Sequence, residues 1–175
     1  WQADATLCRG GCAELIGVAA RNLRGALNRL SIRRMTEDAT AAPPPEFARS
    51  ISHDEMNALP IRRYEGPIHE AASLHDIEAA MDDILRDGVV GFDTETRPAF
   101  KPGESYLPSI AQFATARAVY ILRVQQQDTF GALQQILSSA NVIKVGVSVS
   151  DDLRNLKKLF TFDEQSVIDL GKVAK

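Results

Sequence analysis

The residues best suited to chemistry are the two acids of the short segment Phe92–Thr96, which follows the apolar run Val89–Gly91. The side chains of a β-strand alternate between its two faces, so a strand here would place Asp93 and Glu95 on one face. Two neighbouring carboxylates raise each other's pKa unless a cation lies between them. Mg²⁺ and Mn²⁺ prefer carboxylate and water oxygens, so the pair predicts a divalent metal site. The alternative is a strand that ends in a solvated acidic turn.

A second pair of acids, Asp151 and Asp152, opens a predicted helix directly after the apolar strand 142–148. For either acid alone the ordinary role is to cap the helix, because carboxylates are favoured near the unpaired N–H groups of a first turn. Ligands of open α/β sheets, however, collect outside the carboxyl ends of the strands. Asp93, Glu95 and Asp152 would meet there, and three converging carboxylates can hold the two cations of a phosphodiesterase site.

The composition is that of an ordinary globular chain of 175 residues, 45% hydrophobic and 25% charged. No apolar run approaches the ~20 residues that a membrane-spanning helix needs. Residues 1–34 carry six Arg against one Asp and one Glu, a net charge of +4; since the whole chain carries −3, residues 35–175 carry −7. An acidic body argues against nonspecific coating of nucleic acid, yet it does not exclude a nuclease whose acids surround metals. The two cysteines, Cys8 and Cys12, predict a reduced setting, and we expect a cytoplasmic location.

The chain divides by composition into three parts. Residues 1–34 are Arg-rich, with a helical apolar pattern over 15–30 and no initiating Met, and we expect Met35 to be the natural start. Residues 35–69 are predicted to be a linker and an arm, because their prolines interrupt regular structure. Residues 70–175 contain the predicted folded domain.

Hydrophobic periodicity within that domain predicts alternating helices and strands. Two of the strands are separated by two residues, which predicts a tight antiparallel hairpin. A hairpin followed by βαβ units makes a mixed β-sheet with helices packed on it, so the predicted fold class is α/β. The predicted helices span 71–87, 129–139 and 151–160, and the predicted strands span 89–95, 109–115, 118–124, 142–148 and 167–170.

The two acidic motifs resemble those of a known family. Asp93-Thr94-Glu95 resembles the first motif of the DEDD 3′–5′ exonucleases, the DnaQ-like branch of the ribonuclease H-like fold, and the stretch from Lys144 to Leu156 resembles their second motif. Within that superfamily the likeness is greatest to the ribonuclease D and Werner-helicase exonuclease group. The likeness extends to residues 62–68, 92–98 and 108–109, and in all it covers about residues 55–175.

The resemblance implies a ribonuclease H-like sheet that opens with a three-stranded antiparallel meander. It implies that Asp93 binds two Mg²⁺ or Mn²⁺ ions and that Glu95 binds one of them and helps to hold the 3′-terminal hydroxyl. Asp152 would act at the other ion, whereas Asp151 lies one residue early and is expected to be a helix-start acid. The implied activity is two-metal-ion hydrolysis of phosphodiester bonds at the 3′ end of a DNA or RNA strand.

One motif of that family is not matched. The family's third motif, a Tyr or His with an Asp a few residues later, would lie beyond Lys175, and neither Tyr120 nor Asp169 fits it by position. We therefore expect the domain to be incomplete at its C-terminus. The expectation is a fragment with weak or no catalysis of its own, taken from a parent protein that is an exonuclease.

Two other functions remain open at this point. A haloacid-dehalogenase-like phosphatase also carries Asp-x-Asp-x-Thr at the end of a strand, where the first Asp is a covalent nucleophile; here Glu95 replaces the second Asp. A non-catalytic nucleic-acid-binding or protein-binding module could keep the same fold. Basic side chains that could contact a phosphate backbone are Arg97, Lys101, Arg154, Lys157 and Lys158. The ordinary explanation for Lys157 and Lys158 is a solvated helix face.

Overall fold

The computed structural model describes residues 51–60, 63–101 and 103–173. The predictions for the Arg-rich segment 1–34, for Met35 as a start and for most of the linker lie outside these residues. None of the helices in the described ranges has the length and apolar character needed to span a bilayer.

The described residues form helices and strands in an order close to the predicted one. The helices are α1 (His53–Ala58), α2 (Leu74–Asp87), α3 (Gln127–Ser138), α4 (Val149–Leu156) and α5 (Leu170–Val173). The strands are β1 (Ile68–Ala71), β2 (Val89–Thr96), β3 (Pro108–Ala114), β4 (Val119–Arg123), β5 (Ile143–Gly146) and β6 (Val167–Asp169).

The six strands form one mixed sheet in the order β1-β4-β3-β2-β5-β6. Strands β2, β3 and β4 are consecutive antiparallel neighbours. In contrast, β2 pairs in parallel with β5, and β5 pairs in parallel with β6. The predicted α/β class, the hairpin and the antiparallel meander followed by βαβ units are confirmed.

Two short elements occupy the stretch predicted to be an arm. Helix α1 begins with a capping box, in which Ser52 and Glu55 each bond the other's backbone N–H. Strand β1 pairs in parallel with β4, with Ile68 opposite Val119, so the sheet crosses the predicted boundary at residue 70. Periodicity missed both elements because neither has an apolar face: α1 buries no residue and three of the four residues of β1 are exposed.

The main core lies between the sheet and helices α2, α3 and α4, whose buried apolar side chains pack together on one face of the central strands. Phe92 of β2 and Phe113 of β3 are cross-strand partners on this face, with ring centroids 5.2 Å apart. We call this side of the sheet the core face. A smaller cluster that includes Val89 and Val145 covers the opposite face at β5.

Helix α2 begins and ends at residues with specific local chemistry. Ser73 at the N-cap accepts a hydrogen bond from the N–H of Asp76, whose carboxylate accepts one from the N–H of Ser73. Gly88 ends the helix with φ +74°, a left-handed conformation that glycine adopts without steric cost, as predicted. Strand β2 starts at the next residue, so the end of α2 sets the start of the acid-bearing strand.

A largely buried polar network joins α2 to the turn between β3 and β4. Asp83 accepts hydrogen bonds from the hydroxyls of Thr115 at 2.9 Å and Tyr120 at 3.0 Å. The Arg117 guanidinium donates to the same carboxylate at 2.6 Å, and Asp87 accepts from a backbone N–H of the turn at 2.7 Å. Burial acts to raise the pKa of Asp83, but the three side-chain hydrogen bonds outweigh it and hold the pKa below its ordinary value. Asp83 therefore stabilises the hairpin as a carboxylate.

Lys144 of β5 is fully buried, and its ammonium group bonds backbone carbonyls. Its Nζ donates to the carbonyl oxygens of Ser139 at 2.8 Å and Val142 at 2.9 Å. Ser139 is the C-cap of α3, where carbonyls lack helical partners and the helix dipole is negative. Burial lowers the pKa of Lys144 to about 8. This side chain ties the end of α3 to the strand beside β2.

Replacing Asp83 with Asn should lower the free energy of unfolding by about 2–3 kcal/mol, because Arg117 and two hydroxyls lose a charged acceptor. Chemical denaturation followed by circular dichroism measures the loss. Asp82→Asn, which changes an exposed acid on the same helix, is the matched control and should alter the free energy by less than about 0.5 kcal/mol. Equal losses in the two variants would contradict the role assigned to the network.

Candidate active site

Strand β2 carries the first two acids at its carboxyl end. It pairs with β3 so that Asp93 lies opposite Gln112 and Glu95 lies opposite Ile110. By the alternation of the strand, Asp93 and Glu95 share the side of β2 away from the core face, and both are half-buried. The register shifts between Glu95 and Thr96, so the regular ladder ends just after the second acid.

Asp152 reaches the same strand from α4. Strand β5 pairs in parallel with β2, with Gly91 opposite Val145, so the helix that follows β5 starts beside the carboxyl end of β2. The Thr94 hydroxyl donates a hydrogen bond to Oδ1 of Asp152, which lies 58 positions later in the chain. Since Thr94 lies on the core face of β2, Asp152 approaches the strand from that side.

The turn between β5 and α4 allows this close approach. A Cβ atom on Gly146 would collide with the carbonyl oxygen of Phe92, the residue before the first acid. Ser148 has a left-handed φ of +57°, and its N–H donates to the carboxylate of Asp169 at 3.0 Å. Glycine at position 146 is therefore needed for α4 to begin at Val149, beside β2.

The charges of Asp93 and Asp152 disfavour the charged form of Glu95. Burial, Asp93 and Asp152 all raise the pKa of Glu95. Burial also raises the pKa of Asp152, against a smaller opposing effect of the hydrogen bond from Thr94. Because like charges raise carboxyl pKa values unless a cation balances them, the donor chemistry of this strand end fits a divalent cation.

The structure brings the three acids to one strand end but does not assemble them into a ligand set. Asp152 contacts Thr94, which lies on the other side of β2 from Asp93 and Glu95. Within the described ranges, no group of three or more His, Cys, Asp and Glu side chains is placed to hold a metal ion. A two-cation site with Asp93, Glu95 and Asp152 as ligands therefore stays a prediction.

The other acid of α4 and the two residues rejected for the third motif have local contacts. Asp151 is exposed and forms an ion pair with Arg154, with 2.7 Å between Oδ1 and Nη1. Asp169 accepts hydrogen bonds from two backbone N–H groups at 3.0 Å each. The Tyr120 hydroxyl bonds Asp83, and burial, followed by that hydrogen bond, raises the pKa of Tyr120 to about 12. Each of these side chains thus serves a local structural contact.

The basic side chains of α4 and its C-terminal end also have local partners. Lys157 forms an ion pair with Glu164. Lys158 donates a hydrogen bond to the Asn155 side chain at 2.9 Å, and Arg154 is held in its ion pair at 2.7 Å. These contacts favour a solvated helix face over a phosphate-binding surface.

The loop between β2 and β3 begins directly after the acids and is basic and aromatic. The Arg97 guanidinium lies over the Tyr106 ring, 5.0 Å from its centroid. Phe100 is 81% exposed, and Lys101 beside it is exposed as well. Exposed rings and cations of this kind suit the stacked bases and phosphates of a single strand.

Sequence reasoning missed two residues beside the acids. Strand alternation turns Thr94 away from Asp93 and Glu95, so the pattern assigned it no role, yet it contacts Asp152. Gln112 is only 4% exposed and lies opposite Asp93. A polar residue within the apolar alternation of β3 was the available signal for Gln112, whereas the contact of Thr94 depends on where α4 packs.

Comparison with known proteins identifies related domains. The family model described as 3′–5′ exonuclease matches residues 69–175. The bifunctional 3′–5′ exonuclease/ATP-dependent helicase WRN of Mus musculus is 29% identical over 122 residues, which are 66% of this chain and 9% of that protein. The EXO domain of Aedes aegypti Nibbler is 25% identical with a TM-score of 0.55, over 66% of this chain and 58% of that one. The chain thus spans less than two thirds of the length of either relative.

A more distant structure supports the fold. RNase D of Trypanosoma brucei, in complex with GMP, is 15% identical with a TM-score of 0.54, over 59% of this chain and 33% of that chain. This likeness confirms the ribonuclease H-like sheet. The same enzyme has also been solved in complex with RNA U12. Exonucleases of this type bind nucleic acid, and they are generally metal-dependent.

Glu95→Gln should stabilise the metal-free protein by about 0.5–1 kcal/mol at neutral pH, because it removes a charge disfavoured by burial and by two neighbouring carboxylates. The raised pKa means that the folded state holds this proton to higher pH than the unfolded chain. The penalty therefore grows as the pH rises above the ordinary value of 4.5 and is absent below it.

Denaturation in EDTA between pH 4 and pH 8 measures this difference. Glu78→Gln, an exposed acid on α2, is the control and should show no such pH-dependent gain. A Glu95→Gln protein that is less stable than the parent at pH 7.5 would contradict the electrostatic account.

Proposed function

Because the chain belongs to the 3′–5′ exonuclease family, we propose that its protein removes nucleotides from the 3′ end of a DNA or RNA strand by metal-dependent hydrolysis. The observation that carries this proposal is the match of the family model over residues 69–175, which include both acid-bearing elements, β2 and α4. The effect of burial, Asp93 and Asp152 on Glu95 supports it, because a carboxylate disfavoured by burial and by neighbouring acids suits a cationic cofactor.

The proposed ligands are the three acids. Asp93 would hold both of two Mg²⁺ or Mn²⁺ ions, Glu95 one of them and Asp152 the other. Such ions supply an activated water and stabilise the leaving oxygen of a phosphodiester. The chain itself contributes position: β2 and α4 hold the carboxylates at one half-buried strand end, where Glu95 also helps to hold the 3′-terminal hydroxyl.

The loop after β2 is the proposed contact for the rest of the strand. Arg97 and Lys101 would bind phosphates, and the exposed ring of Phe100 would stack on a base. Phe100 carries the assignment of this loop, because its ring is 81% exposed, whereas Lys157 and Lys158 after α4 have local partners.

The two alternative functions fare differently. The comparisons do not favour a haloacid-dehalogenase-like phosphatase, and β2 is followed by an antiparallel hairpin strand, not by the helix of a doubly wound sheet. A non-catalytic binding module of the same fold is distinguished by assay: it would bind 3′ ends without shortening them.

Asp93→Asn and Asp152→Asn should each lower the rate of 3′-end trimming at least about 100-fold, the loss typical when one group that stabilises transition-state charge is removed. Asp151→Asn, one residue from Asp152, is the matched control and should keep the rate within about threefold, because its carboxylate is exposed and paired with Arg154. Oligonucleotides labelled at the 5′ end, in DNA and RNA forms, report the length of each product in Mg²⁺, Mn²⁺ or EDTA.

The assay is run on the full natural gene product. Trimming in EDTA, or equal losses in Asp151→Asn and Asp152→Asn, would contradict the assignment of the acids. Release of phosphate through a phosphoenzyme would favour the phosphatase instead.

Phe100→Ala should weaken binding of a single-stranded oligonucleotide about 10-fold, because loss of one stacking ring costs about 1–3 kcal/mol. Fluorescence anisotropy in Ca²⁺ measures the affinity without requiring hydrolysis. Leu74→Ala, which changes an exposed apolar residue at the start of α2, is the control and should leave the affinity unchanged. Unaltered binding by Phe100→Ala would remove the loop from the proposed interface.

A further inference from the structure

The carboxylate of Asp169 joins two chain segments at the carboxyl edge of the sheet. Asp169 ends β6 and lies opposite Gly146 of β5 in the parallel ladder. Its Oδ1 accepts one hydrogen bond from the N–H of Ser148 at 3.0 Å and another from the N–H of Gly171 at 3.0 Å. One oxygen atom therefore binds the turn before α4 and the start of α5 at the same time.

Ser148 has a backbone conformation that needs support. Its φ of +57° lies in the left-handed region, which is disfavoured for residues other than glycine. The Ser148 side chain makes no capping hydrogen bond at the start of α4. The bond from its N–H to Asp169 offsets the cost of this conformation, and a charged acceptor makes that bond stronger than one between neutral groups.

The surroundings of Asp169 fit this arrangement. A Cβ atom on Gly171 would lie 3.2 Å from Oδ1 of Asp169, so a side chain at position 171 would require the carboxylate to shift. A second contact joins the same two helices, because Nζ of Lys172 in α5 donates to Oγ of Ser150 in α4 at 3.0 Å. Helix α5 is thus tied to the start of α4 close to the turn at Ser148.

We propose that Asp169 is a positioning residue, whose carboxylate holds the left-handed turn at Ser148 and thereby fixes where α4 starts beside β2. Asp169 acts through the backbone of this turn and not on the substrate. The consequence for 3′-end trimming rests on the proposed function, since α4 carries Asp152. The two hydrogen bonds do not depend on that function.

A role of Asp169 through its charge makes a different prediction. Burial is the main cause of the raised pKa of Asp152, and the charges of Asp151 and Asp169 add to it. Asp169→Asn removes the charge but keeps Oδ1 as an acceptor, whereas Asp169→Ala removes both. A role in positioning predicts that Asn can replace Asp169 and that Ala cannot, whereas a role through charge predicts equal effects.

Ser148→Gly tests the link to the left-handed turn. Glycine adopts this conformation without steric cost, so the turn no longer needs the bond to Asp169. Asp169→Ala should therefore have a smaller effect in the Ser148→Gly background than in the parent, as expected of two residues in one contact. Asp163→Ala, which changes an exposed acid of the loop before β6, is the matched control.

The variants are made in the full natural gene product. The amide proton signals of Ser148 and Gly171, observed with ¹⁵N-labelled serine and glycine, report the two hydrogen bonds, and 5′-labelled oligonucleotides give kcat and KM. Asp169→Ala should move both signals and lower kcat at least about 10-fold, because a displacement of ~1 Å can cost more than that. Asp169→Asn, Asp163→Ala and the double variant Ser148→Gly/Asp169→Ala should stay within about threefold of the parent kcat, and KM should be unchanged throughout.

Parent-like kcat and amide signals in Asp169→Ala would overturn the positioning role. So would equal losses in Asp169→Asn and Asp169→Ala, or a loss that Ser148→Gly does not reduce. Should Asp169→Ala fail to fold, recovery of folding by Ser148→Gly is the expected result, and an unfolded double variant would contradict the inference. If the unmodified protein trims no 3′ end, the proposed function fails, and the amide signals of the Asn and Ala variants still decide whether the carboxylate holds the turn.

Discussion

The parallel pairing of β2 with β5 is the constraint on which the site depends. Only three residue pairs, from Val89–Ile143 to Gly91–Val145, form this ladder. Because the strands run in the same direction, their carboxyl ends lie side by side. Helix α4, which follows β5, therefore starts beside the acids at the end of β2. Gly146 makes the meeting close, since any side chain there would collide with the Phe92 carbonyl. A different register of these two strands would separate Asp152 from Asp93 and Glu95 by a full residue step or more.

Charge repulsion between the acids destabilises the end of β2. The contacts that stabilise the domain lie elsewhere. Glu95 is disfavoured as a carboxylate by burial and by both neighbours. At the opposite end of the strand, α2 is capped at both termini, and Asp83 is stabilised as a carboxylate by hydrogen bonds to the hairpin. The rest of the sheet thereby holds in place a strand end at which Glu95 is disfavoured as a carboxylate.

Sequence patterns predicted the elements that have an apolar face of their own. The stripe of α2, the hairpin and the buried strand β5 were recognisable because burial forces a period of 3.6 or 2 on their residues. Strand β1 was missed because backbone pairing with the edge strand β4 forms it, and its own side chains are mostly exposed and show no apolar pattern. The acids of β2 and α4 could be singled out by type and spacing. The contact of Thr94 could not, because the side of β2 on which α4 packs is a property of the whole sheet.

The buried ammonium of Lys144 has a consequence for how the molecule opens. An amine reagent can reach this nitrogen only when β5 detaches from the end of α3, since the side chain is fully enclosed and holds two carbonyls. The pKa of about 8 belongs to the buried amine; once exposed, the amine regains a pKa near 10.5, so labelling is best followed at alkaline pH. The rate of covalent labelling at Lys144 therefore measures how often β5, the strand that brings the two acidic elements together, unfolds locally.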